Sequence, residues 1–181
     1  MAKTAIGTYA PDFELPGADG TVHHLARYLE SHKAVCVIFM CNHCPYVKAY
    51  LDRIAKLHQD YLPKGVAVIA MNPNDATQFP EDSFAAMKTW VVEQSITYPY
   101  LRDETQDVAH AFDALKTPHA FLLNQQGILV YSGAIDDSAR DADAVQVNYL
   151  RDAIDQTLAG QPVSLSATEP VGCSVKWRSA A

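Results

Sequence analysis

The chain carries one unbroken apolar run of strand length, Ala34-Val35-Cys36-Val37-Ile38-Phe39-Met40. Such a run is expected of a strand buried on both faces. Behind it, Val47, Leu51, Ile54, Leu57 and Tyr61 recur at helical spacing until Pro63 and Gly65 close the segment. A second run, Val66 to Met71, predicts another buried strand, and strand–helix–strand in this order predicts a right-handed parallel crossover. Upstream, Ala10 to Pro16 alternates apolar and polar residues before a Gly17-Ala18-Asp19-Gly20 turn and a return strand at Thr21 to His23. That pattern predicts an N-terminal hairpin, and Leu25 to Leu29 a short helix after it.

Downstream, Asn72 to Asp75 reads as a loop, and Glu81-Asp82-Ser83 opens a helix with Phe84, Met87 and Val91 inward. Tyr98 to Leu101 is a short extended piece; Val108, Phe112 and Leu115 mark another helix. Ala120 to Leu123 and Ile128 to Tyr131 flank Asn124-Gln125-Gln126-Gly127 as a hairpin. Val147, Leu150, Ile154 and Leu158 make a last amphipathic helix ending at Gly160. Residues 161–181 form a polar C-terminal tail broken by Val171, Cys173, Val175 and Trp177. No linker or internal repeat divides the chain, so residues 1–181 are expected to form one α/β domain: a central mixed sheet flanked by helices, with the hairpin as an N-terminal extension.

Cys41-Asn42-His43-Cys44 lies where the central strand gives way to the long helix. The first backbone N–H groups of a helix have no intrahelical partner, and the macrodipole places roughly +0.5 charge there. A thiolate is stabilised at that end, and a Cys-x-x-Cys thiol falls from about 8.5 into a range of roughly 3.5–7.5. Two intervening residues let one sulfur reach the other and close a disulfide. Pro45 suits the first helical turn, and a protonated His43 would set a positive charge beside either sulfur.

Length and charge narrow the rest. With 181 residues and 49% hydrophobic content the chain can bury a sizeable core. A formal net charge of -7 speaks against nucleic acid and anionic membrane surfaces as partners, and no apolar run approaches a membrane span. The start at Met1 lacks the apolar core of a secretory signal, so a cytoplasmic protein is expected if Met1 is the native start. Four cysteines do not make a disulfide framework in a chain of this size; a catalytic pair in a reducing compartment is the better reading.

Together these pieces resemble the thioredoxin-like superfamily, and within it the peroxiredoxin-like redoxins of AhpC/TSA type. Ala10-Pro11-Asp12-Phe13-Glu14-Leu15-Pro16 is similar to the redoxin opening, and Cys41-Asn42-His43-Cys44 falls at the active-site turn. Thr117-Pro118, directly before the strand from Ala120, resembles the cis-proline segment that faces the cysteine pair. Gly172-Cys173-Ser174-Val175-Lys176-Trp177, taken with the first cluster, is similar to a peroxiredoxin-like family carrying a thioredoxin-type pair.

The resemblance implies a thiol–disulfide oxidoreductase in which Cys41 is the attacking thiolate at an exposed tip and Cys44 resolves the mixed disulfide. His43 would tune the pair, while Thr117 and Pro118 would shape the substrate groove. No bound cofactor is implied; the partners would be thiol- or disulfide-bearing proteins or small thiols. Oligomeric state is left open.

Two alternatives stand beside it. One is a thiol peroxidase with Cys44 as the peroxidatic residue. Laid on the peroxiredoxin Pro-x-x-x-Thr/Ser-x-x-Cys pattern, however, this chain has Val37 at the proline and Cys41 at the threonine position. The other is a non-enzymatic metal module using Cys41, Cys44 and a histidine such as His43 or His119, although no second Cys-x-x-Cys follows. Cys36 reads as core filling. Cys173 reads first as a tail thiol packed beside Trp177, with a third redox cysteine as its sharper alternative. The acidic run Asp136, Asp137, Asp141 and Asp143 reads as a solvated loop with a helix cap.

Overall fold

The computed structural model describes residues 3–180; positions 1, 2 and 181 of the expected domain lie outside them. The chain opens with an antiparallel hairpin of β1 (Glu14–Pro16) and β2 (Val22–His24), then α1 (Leu25–Ser31). The apolar run forms β3 (Ala34–Phe39), followed by α2 (Pro45–Tyr61) and β4 (Val66–Asn72). Next come α3 (Phe84–Glu93), β5 (Tyr100–Arg102), α4 (Asp107–Phe112) and the two-residue β6 (Lys116–Thr117). The hairpin of β7 (His119–Asn124) and β8 (Leu129–Gly133), then α5 (Tyr149–Leu158) and a last short strand β9 (Cys173–Ser174), complete the order.

The central sheet runs β5-β4-β3-β7-β8, with β3, β4 and β5 parallel and β7 and β8 antiparallel to their neighbours. This is the expected mixed sheet. Every residue of β3 is fully buried, because the alternating side chains meet a helical layer on each face. Cys36, Ile38 and Met40 pack with Val47, Ile54 and Leu57 of α2, Met87 of α3 and Ile154 of α5. Val35, Val37 and Phe39 pack on the other side with Phe13, Leu25, Phe112 and Phe121. Each such side chain contributes about 1.5–3 kcal/mol of burial, so the end of β3 is among the most firmly held points of the chain. Cys36 is core filling, its thiol pushed up to about 12 by burial.

Several boundaries differ from the pattern reading. A left-handed residue at Asp113 (φ 60) ends α4 at Phe112, which leaves Leu115 outside the helix and 49% exposed. The inward face of α3 is Met87 and Trp90, with Phe84 and Val91 only half-buried. Val147 precedes α5 instead of joining it. Asp136 is not solvated: it is buried, accepting from the Tyr50 hydroxyl (2.8 Å) and pairing with Arg53 (2.8 Å). Asp137 and Asp141 do cap local turns, accepting from the N–H groups of Gln146 and Asp143. The tail folds back on the body, where β9 pairs antiparallel with β6 in the register Thr117↔Cys173 and Lys116↔Ser174.

Candidate active site

Cys44 is the N-cap residue of α2, in an extended conformation (φ -71, ψ 126), and Pro45 fills the first helical position. Its sulfur therefore sits in front of N–H groups that the helix leaves unpartnered. Cys41 lies one loop earlier, between the end of β3 and the helix. The Thr117–Pro118 peptide is cis and closes over both sulfurs. Cys41 Sγ lies 3.5 Å from Thr117 Oγ1, and the Cys44 thiol is 3.4 Å from the Thr117 carbonyl it donates to. The structure thus brings together four of the expected site residues, Cys41, Cys44, Thr117 and Pro118.

One expectation is corrected here: Cys41 is not at an exposed tip, since both Cys41 and Cys44 have 0% exposure. The Cys44 thiol is lowered first by the hydrogen bond it accepts from the Cys41 thiol, then by the Cys173 thiol and the N–H groups of Val47 and Cys173; burial opposes them. The Cys41 thiol is raised by that same hydrogen bond, by burial and by the nearby Asp82 carboxylate.

His43 reaches a buried anchor, with one ring nitrogen still within 4.8 Å of Cys41 Sγ. Its Nδ1 lies 2.5 Å from Asp82 Oδ2, and its ring stacks on Phe79 at 5.4 Å and 4°. That approach is close but lacks the alignment of a hydrogen bond. Any positive charge on His43 is therefore set against a carboxylate before it acts on a thiolate. Asp82 is fully buried, and its oxygens accept from Asn42 N–H (2.7 Å), Asn72 Nδ2 (3.1 Å) and Asn74 Nδ2 (2.9 Å). Tyr100 joins this network by donating to Asn42 Oδ1 (2.8 Å). The two residues between the cysteines are thereby locked to β4, β5 and the turn before α3.

Sequence reasoning missed Asp82, Asn72, Asn74 and Tyr100. Only Asn72 and Asn74, polar residues directly after a buried strand, carried a hint. It also placed Cys173 beside Trp177. Instead Trp177 stacks on His110 (4.1 Å, 15°), while Cys173 packs against the cluster that holds Cys41 and Cys44. Gly172 is needed there, since a Cβ on it would come 2.1 Å from the Thr117 carbonyl oxygen.

The expected metal set does not assemble. His119 is buried; its Nδ1 accepts from Leu115 N–H (3.2 Å) and its Nε2 contacts Ser132 Oγ (3.1 Å). Among the described residues the group close enough to share an ion is Cys41, His43 and Asp82, with ligand atoms within 4.8 Å, and it omits Cys44. That gives three donors, one fewer than a closed structural zinc site uses. No described helix is long and apolar enough to cross a membrane.

A parallel-and-antiparallel five-stranded sheet, a cysteine pair at its strand-to-helix turn and a proline loop opposite define the thioredoxin-like class. The thioredoxin domain of a thiol-disulfide oxidoreductase from Bacteroides vulgatus shares this fold (TM-score 0.66, 17% identity, 86% of this chain and 99% of that one). Residues 6–132 match the AhpC/TSA family, and the chain belongs to it. An uncharacterized conserved protein from Geobacillus kaustophilus is similar over nearly the whole length, with 41% identity, a TM-score of 0.90 and 98% and 94% of the two chains covered. The thiol-disulfide oxidoreductase ResA of Halalkalibacterium halodurans is 28% identical over 124 residues, 68% of this chain; the match spans 65% of the relative's length.

Proposed function

We propose that the protein is a thiol–disulfide oxidoreductase in which Cys41 and Cys44 cycle between dithiol and disulfide, exchanging with thiol- or disulfide-bearing proteins or small thiols. The carrying observation is the placement of both cysteines on Thr117, Cys41 at its hydroxyl and Cys44, the N-cap of α2, at its carbonyl. The similarity to a thiol-disulfide oxidoreductase supports the same reading.

In the reducing direction the Cys44 thiolate attacks a disulfide presented to it and expels one thiolate. Cys41 then loses its proton and attacks Cys44 Sγ. That step releases the second thiolate and leaves the Cys41–Cys44 disulfide, so two electrons have passed to the substrate. Thr117 positions the pair through its hydroxyl and carbonyl. Peroxide chemistry is the weaker reading, because the hydrogen-bond partners of the two sulfurs among the described residues include no arginine to polarise a peroxide.

The test is equilibration in glutathione buffers of graded poise, followed by rapid alkylation and peptide mass mapping. The expected result is one two-electron transition that forms the Cys41–Cys44 disulfide and disappears in Cys41→Ser and Cys44→Ser. A wild-type pair that stays reduced at the oxidised end, or that is purified with stoichiometric zinc, would refute the proposal.

A further inference from the structure

The buried pair has no direct opening to solvent, since neither sulfur has any exposure. The depression of about 600 Å³ beside the active turn is bordered by Asn42 and His43 and by α3, and by neither cysteine. The strand edge next to the sulfurs is occupied as well, because β9 pairs with β6 directly before Pro118. The tail is held there along its backbone. Lys176 N–H donates to Asn74 Oδ1 (2.9 Å), the Lys176 carbonyl accepts from Gln106 Nε2 (2.9 Å), and Val175 is buried in the core.

One sulfur of this tail reaches both ways. Cys173 is only half-buried, yet it stands opposite Thr117, whose carbonyl lies 3.4 Å from Cys44 Sγ, and packs on the cluster that holds both buried sulfurs. Cys44 therefore has two thiol neighbours, Cys41 on the inner side and Cys173 on the outer.

We propose that Cys173 is the exchange thiol of the buried pair: the Cys41–Cys44 couple communicates with outside thiols and disulfides through an internal Cys44–Cys173 disulfide. In the direction that reduces the protein, the Cys173 thiolate attacks Cys44 Sγ of the Cys41–Cys44 disulfide. The Cys44–Cys173 bond forms, the old bond breaks, and Cys41 leaves and takes up the proton Cys173 gave. An outside thiolate then attacks Cys173 Sγ, the accessible sulfur, and expels Cys44. A second outside thiol attacks the mixed disulfide and frees Cys173. Two small thiols have become one disulfide and the pair is reduced; the reverse sequence reduces an outside disulfide. The second step is the favoured point of entry, since Cys173 is less buried than the fully buried Cys41 and Cys44 and exchange is fastest at an accessible sulfur.

The inference rests on the dithiol–disulfide reading above, and one experiment separates the two. Fully oxidised wild type and Cys173→Ser, in which the serine keeps a hydrogen-bond donor toward Cys44, are mixed with glutathione and quenched by alkylation at intervals. Loss of the Cys41–Cys44 disulfide is expected to be at least about tenfold slower in Cys173→Ser. Cys41→Ser treated with stoichiometric diamide is expected to yield an intramolecular Cys44–Cys173 disulfide. A Cys173→Ser rate equal to or faster than wild type overturns the relay, as does a Cys41→Ser protein that yields only intermolecular or glutathione adducts. In either case a Cys41–Cys44 disulfide still formed by the wild type leaves the oxidoreductase reading standing; its absence sinks that reading itself.

Discussion

Replacing Asp82 probes the support of the active turn without touching a cysteine. The carboxylate is fully buried and accepts three hydrogen bonds, from Asn42 N–H, Asn72 Nδ2 and Asn74 Nδ2, beside its contact with His43. Asp82→Ala leaves those donors without an acceptor in a site closed to water. Hydrogen bonds to a charged group are worth about 1.5–3 kcal/mol each, but three that share one acceptor do not add. The cost of breaking a buried pair, about 3–5 kcal/mol, is the better guide to the whole. For a chain of this size that corresponds to a fall in Tm of about 6–20 °C. Asp82→Asn keeps the shape and one acceptor oxygen, and is expected to cost less than half as much. Urea unfolding of the reduced proteins at one pH, with the slope unchanged, measures both. The Cys41 thiol, raised by its bond to Cys44, by burial and by this carboxylate, should also titrate lower in Asp82→Asn. An Asp82→Ala cost within about 0.5 kcal/mol of zero, the range of ordinary surface changes, would refute the role given to the network.

Three further outcomes follow from the same geometry. The Cys44 thiol is lowered by its Cys41 hydrogen bond, so absorbance at 240 nm should show a thiolate titrating below the ordinary value of about 8.5 that Cys44→Ser removes. Because the folded value is the lower one, the reduced protein should gain stability over Cys44→Ser as pH rises through that window, and lose it as pH falls. Replacing His43 by Gln leaves the Asp82 carboxylate uncompensated near Cys41; a glutathione titration should move in the reducing direction by about 15–30 mV, or roughly 0.7–1.4 kcal/mol, and no movement would remove His43 from the tuning of the pair. Burial pulls His119 down to about 4, so the unfolded chain takes up a proton between about 6.5 and 4 that the folded one refuses. Roughly 3 kcal/mol of stability should drain away as pH falls through that range, and acid titration of His119→Gln should be flatter.

What the sequence reveals here depends on whether burial leaves a local signature. The strands β3 and β4 are apolar at every position because both of their faces are covered, and the Cys-x-x-Cys stands out against the strand and helix around it. Asp82 left no such mark. Glu81-Asp82-Ser83 before an apolar stretch has the composition of any helix start, and Ser83 does cap α3 by accepting from Ala86 N–H. The burial of Asp82 comes from asparagines 8, 10 and 40 positions away that converge only in three dimensions. The tail was illegible for a related reason. Val171, Cys173, Val175 and Trp177 alternate at strand spacing, but the groups that hold the tail, at Thr117, Asn74 and Gln106, lie far away along the chain. Leu115 fits a helical spacing, but the left-handed turn at Asp113 stops the helix before it.

Stopped-flow mixing of the reduced protein with hydrogen peroxide, against the same sample mixed with a protein disulfide, separates disulfide exchange from peroxide reduction. Both chemistries draw on the same cysteine cluster, so the identity of the oxidant decides between them. A thiol–disulfide oxidoreductase is expected to be oxidised fast by the disulfide and slowly by peroxide, with no rapidly trapped sulfenate in Cys41→Ser. Peroxide oxidation faster than disulfide exchange, with a sulfenate trapped on Cys44 of Cys41→Ser, would contradict that reading.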